Sequence, residues 1–167
     1  FGAVCCYCLR RESTDLNNEC FAVQGLKGHY QLLIDDILID NFTVEQLAAG
    51  VNLADYRHTP QYQQACAVMA LNEMRWEIER QFRDYAWLQY DFFLDKGLLD
   101  ANDEHAAAVF REGQKTNGWV GMRRELYDKM IHQEVREAMT AQMDMLVKKI
   151  YEINKPELRK VKFTPIK

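Results

Sequence analysis

Apolar residues recur every three to four positions over most of this chain, a period that predicts helices. In residues 28–40 (GHYQLLIDDILID), Tyr30, Leu33, Ile34, Ile37 and Leu38 share one helical face and Asp35 and Asp36 lie outside it. A short amphipathic helix is expected there, although the same Ile and Leu run suits a buried strand. Thr43 followed by Glu45 and Gln46 caps a second short helix that Gly50 closes. Thr59-Pro60 is a strong start signal, an N-cap residue before proline at the first helical position. The helix it opens runs to about Leu94 and ends near Gly97, a length of roughly 50 Å at 1.5 Å per residue. Asn102 opens a short helix that Gly113 ends. Asn117-Gly118 forms a turn, and a last helix covers 119–154 before Lys155-Pro156 stops it.

The long helices carry more apolar surface than one stripe. On a wheel, Leu71, Met74, Ile78, Phe82, Tyr85 and Phe92 fall in a sector roughly 80° wide, the expected core stripe. Met69, Trp76, Trp87 and Leu94 lie nearly opposite, with Arg80 and Arg83 between them, placed to stack on the tryptophans. In the last helix Trp119, Met122, Leu126 and Met130 share one face. Val135, Met139, Met143, Leu146, Ile150 and Ile153 share the other, so a kink near 131–135 is expected.

These patterns give an all-α expectation. An antiparallel pair of long helices, a helical hairpin, carries short flanking helices, an irregular N-terminal arm and an extended C-terminal tail. The divisions are 1–25 for the cysteine-containing arm, 26–155 for the helical domain and 156–167 for the basic tail. The 167 residues are 48% hydrophobic and 28% charged, enough for a real core and not a disordered composition. The net charge of −4 does not favour nucleic acid, yet residues 148–167 carry +5 and the remainder −9. Such a tail suits an acidic protein partner or anionic lipid. No apolar run is long enough to span a membrane. The chain opens on Phe1 instead of Met, which makes a mitochondrial or other organellar compartment the expected one.

Candidate chemistry is thin. Ser13 is the one serine and sits in the least regular segment, which argues against a serine nucleophile. Cys5, Cys8, Cys20 and His29 give C-x2-C-x11-C-x8-H, whose first pair has zinc-knuckle spacing; zinc is the one cofactor considered and none is expected. Asp100–His105 fails as a calcium loop, with His105 where glycine is needed and Arg111 where glutamate is needed. Glu73, Glu77, Glu125, Asp128 and His132 lack the Glu-x-x-His spacing of a bundle metal site. The segment from Thr43, TVEQLAAGVN with TPQYQQA after it, resembles the opening of a helix-turn-helix in phage packaging and recruitment proteins. Eight residues separate its two helices, and no functional residue is carried over from that likeness.

With no acid–base pair in view, the sequence reads as non-catalytic. It points to a structural or accessory subunit, or an assembly factor, of a larger protein complex. Trp76, Arg80, Arg83, Trp87, Tyr90 and Phe163 are the expected partner-binding residues, and the tail from Lys155 the docking arm. Two alternatives stand beside it: a viral nucleic-acid-binding or packaging adaptor using the basic tail, and a small zinc protein using the N-terminal cysteines.

Overall fold

The computed structural model describes residues 5–7 and 19–166. The fold is mixed, which corrects the all-α expectation: two three-stranded antiparallel sheets accompany the helices. One compact unit takes the chain up to Val68 and again from Asn154; the other is Met69–Ile153.

The first unit holds the sheets. Strands β1 (Cys5–Tyr7), β2 (Cys20–Val23) and β5 (Val51–Asn52) form one, in the order β1-β2-β5. Strands β3 (His29–Ile34), β4 (Ile37–Thr43) and β6 (Val161–Ile166) form the other, in the order β4-β3-β6. The stretch expected as a helix over 28–40 is thus a hairpin, and the expected docking tail is its third strand. Asp35 and Asp36 make the two-residue turn with φ of 51° and 63°; positive φ at both positions matches the strand twist, and aspartate tolerates it. In β3 the parity is plain, with Leu32 and Ile34 buried and Tyr30 packed beside them. In β4 it is broken, because Leu32 pairs with Asp40 and Leu33 with Leu38, leaving Ile39 as a bulge. The bulge lets Ile39 and Phe42, three apart, both enter the core. Pro165 lacks an N–H to donate, and β6 lies at the sheet edge, where that is tolerated.

Both sheets close on one core of Phe21, Val23, Leu32, Ile34, Ile39, Phe42, Leu47, Val51 and Leu53. Phe163 of β6 stacks on Phe21 at 6.2 Å and meets Tyr30 edge-on at 6.3 Å. Helix α1 (Val44–Ala49) forms on a reciprocal cap: Gln46 N–H donates to Thr43 Oγ1 and Thr43 N–H donates to Gln46 Oε1. Gly50, at φ 98°, closes it; a Cβ there would lie 2.6 Å from Cys20 Sγ. A clasp ties the hairpin turn to the C-terminal segment. Asp35 Oδ1 accepts from Lys160 N–H at 2.8 Å and Asp35 Oδ2 from Arg159 at 3.1 Å, while Arg159 also donates to Gln64.

Helix α2 (Pro60–Leu88) carries the chain into the second unit. Thr59 is fully buried and caps through its carbonyl, which accepts from Gln63 N–H; its hydroxyl makes no hydrogen bond. A π-helical turn, Gln89–Phe93, and a 3-10 turn, Leu94–Lys96, end the helix at Gly97, φ 68°. Helix α3 (Glu104–Thr116) is capped by Asp103. The expected single helix 119–154 is broken into α4 (Gly118–Gly121), α5 (Arg124–Met130) and α6 (Gln133–Ile153). The breaks resolve the change of apolar face, since a straight helix cannot bury both sets in one core.

Helix α6 runs antiparallel along α2. Arg136 lies over the Tyr85 ring, and Val147, Ile150 and Tyr151 gather near Asn72 and Arg75. Ile78, Met130, Met139 and Leu146 are the buried centre of that packing. A second cluster joins Leu88, Phe92 and Phe93 to Ala106, Phe110, Val120 and Tyr127. The π turn makes this cluster possible: one extra residue in the turn rotates Phe93 inward beside Phe92.

Candidate functional site

The outer face of α2 is built as the wheel drew it. Trp76, Trp87 and Tyr90 are 54%, 55% and 60% exposed, and Met69 and Leu94 are exposed beside them. Arg83 lies over the Trp76 ring at 5.4 Å and pairs with Glu79. Arg80 is forked between Glu77 at 2.6 Å and Asp84 at 3.0 Å, and its hydrogen bond holds Glu77 below the ordinary glutamate range. Phe163 is not with this group; it is half-buried in the sheet core of the first unit.

Cys8 lies outside the described residues, and Cys5 is described only as a strand residue. Cys20 is a half-buried free thiol against Gly50, and His29 is exposed on β3. Among the described residues no three His, Cys, Asp or Glu side chains gather where they could hold a metal. No helix among them is long and apolar enough to cross a membrane.

Two clefts of the second unit lie against α5. The smaller, about 420 Å³, lies between α2 and α5 and is mostly ionic, with Glu77, Arg80 and Asp84 facing Arg123, Glu125 and Lys129. The larger, about 710 Å³, lies between α3 and α5. Phe110 and Tyr127 stack at its base with centroids 3.9 Å apart, and Phe93 stacks on Tyr127 at 5.6 Å. Burial raises the Tyr127 phenol above its ordinary value, so the hydroxyl keeps its proton. Arg111 and Lys115 stand on the α3 wall; Arg124 and Asp128 stand on the α5 wall. The sequence signal for this cleft was slight: a basic pair four apart on α3, and Arg124, Tyr127 and Asp128 on one face of α5.

The model of the diltiazem deacetylase C-terminal helical domain matches residues 66–155, more than half of the chain. The chain belongs to the diltiazem deacetylase family. A solved structure described as a gut microbial diltiazem-metabolizing enzyme is 52% identical, with a TM-score of 0.85, over 89% of this chain. The alignment covers 34% of that enzyme, so this chain spans about a third of its length. A search of curated proteins finds no match.

Membership of the diltiazem deacetylase family overturns the reading as a non-catalytic structural subunit or assembly factor of a mitochondrial complex, and with it the packaging-adaptor and small-zinc-protein alternatives. The solved relative is described as an enzyme. Trp and Arg on a helix surface mark a contact face for any neighbour, including the rest of an enzyme.

Proposed function

We propose that this chain serves a deacetylase acting on small acetylated compounds of the diltiazem kind, as the part that carries the helical domain. The observation that carries the reading is the match of residues 66–155 to that domain, which the 52% identity to a diltiazem-metabolizing enzyme supports. Removing an acetyl group requires a nucleophile and a base within hydrogen-bond reach. Among the described residues no histidine is hydrogen-bonded to a hydroxyl or thiol; His58 spends its Nε2 contact on the Ile39 carbonyl at 3.0 Å. We assign the helical domain a binding and positioning role in that chemistry.

The test compares acetate release from diltiazem by three proteins. These are the solved relative, the relative with its matching third exchanged for this chain, and this chain alone. The exchange protein is expected to deacetylate diltiazem and the chain alone to leave it intact. A folded exchange protein without activity would overturn the deacetylase reading. Turnover by the chain alone would place the nucleophile within it.

A further inference from the structure

We propose that the cleft between α3 and α5 binds a flat aromatic carboxylate. Its size, about 710 Å³, lies within the range of small-molecule sites. Ala107, Phe110, Tyr127 and Ile131 supply an apolar base that takes a ring. Around it stand three cations, Arg111, Lys115 and Arg124, against one carboxylate, Asp128, so the lining favours an anion. Two of the three are arginines on opposite walls, and the planar guanidinium fork matches the two oxygens of a carboxylate.

The cations are available. Arg111 pairs with Glu104 at 2.5 Å, Lys115 with Glu112 at 2.7 Å and Arg124 with Asp128 at 3.7 Å, and all six side chains are more than half exposed. Such pairs are weak and screened, so a ligand carboxylate replaces them at little cost. Glu104 and Glu112 hold their partners from outside the lining.

A further polar group in the lining is the hydroxyl of Tyr127, a residue only 3% exposed. A phenol both donates and accepts, so it can donate a hydrogen bond to a ligand oxygen at the cleft base. This inference does not depend on the deacetylase reading, because it concerns binding by this chain alone.

The test titrates the 167-residue chain with 2-naphthoate, and with neutral 2-naphthylmethanol as control, by calorimetry and amide NMR. One saturable naphthoate site is expected, with shifts confined to residues of α3 and α5. The neutral analogue is expected to bind about tenfold more weakly or not at all, as befits the loss of a charge-assisted contact. Arg111→Gln with Arg124→Gln should weaken naphthoate by at least about tenfold. Tyr127→Phe, which keeps the ring stack, should weaken it by a smaller factor. Equal binding of the two probes, unchanged binding by the arginine double variant, or shifts elsewhere would overturn the proposal, as would no binding at millimolar naphthoate. Should the double variant unfold, the location of the wild-type shifts still decides.

Discussion

Two single positions in the helical unit separate packing from surface. Gly113 sits inside α3, where glycine costs the helix about 1 kcal/mol relative to alanine. It was expected to end that helix, yet the helix runs on to Thr116. The reason is packing: a Cβ at Gly113 would fall against the Phe92 ring. Overpacking of this kind costs about 1–3 kcal/mol, so the loss outweighs the gain in propensity. Gly113→Ala should therefore lower the midpoint of urea unfolding, and Phe92→Leu in the same chain should recover part of it. An increase in stability for Gly113→Ala would show that Phe92 yields freely. Phe93 and Trp87 make a second contrast. Phe93 is fully buried, so Phe93→Ala should cost about 3–5 kcal/mol. Trp87 is 55% exposed, and Trp87→Ala should stay within about 1 kcal/mol by the same melt. Comparable losses at the two positions would place Trp87 in a core.

Among elements, the hairpin and its clasp decide the first unit. Asp35 lies in the turn and accepts from Lys160 N–H and from Arg159, and these contacts hold its carboxyl below the ordinary aspartate range, the Lys160 bond first. A depressed folded value means that the contribution is complete above the ordinary range and disappears as pH falls through the depressed one. The melting temperature of the parent should thus exceed that of Asp35→Asn at pH 7, and the gap should close on acidification to below the ordinary aspartate range. A gap independent of pH would mean that the clasp acts through backbone geometry alone. The same element shows why the sheet was hard to read. Tyr30, Leu32 and Ile34 alternate as a strand should, but Leu33, Ile37 and Leu38 also suit a helix face, and the bulge at Ile39 breaks the parity of β4. Local chemistry was clearer. The Thr43–Gln46 cap and the Pro60 start signal depend on neighbours in sequence, and both helices begin there. The partner of β6 lies more than a hundred residues away, and no local pattern specifies such a pairing.

At the scale of the whole molecule, function was the least legible feature because its signal is distributed. The family match rests on 66–155 as a pattern, whereas no pair of residues in that stretch announces a reaction. The α3–α5 cleft is likewise assembled by tertiary packing of Phe93, Phe110 and Tyr127, not by a motif. The surface left by that packing has a consequence in solution. Trp76, Trp87 and Tyr90 expose apolar area on one helix face, and a net charge of −4 opposes association of copies through it. Mass from light scattering after size exclusion should therefore rise between about 0.05 M and about 0.5 M salt, as screening lowers the electrostatic barrier. Trp76→Gln with Trp87→Gln should hold the mass constant over the same interval, since both side chains are half-exposed and their replacement leaves the core intact. If the double variant associates as strongly as the parent, the aromatic face is not the adhesive surface, and the salt response belongs to another part of the molecule.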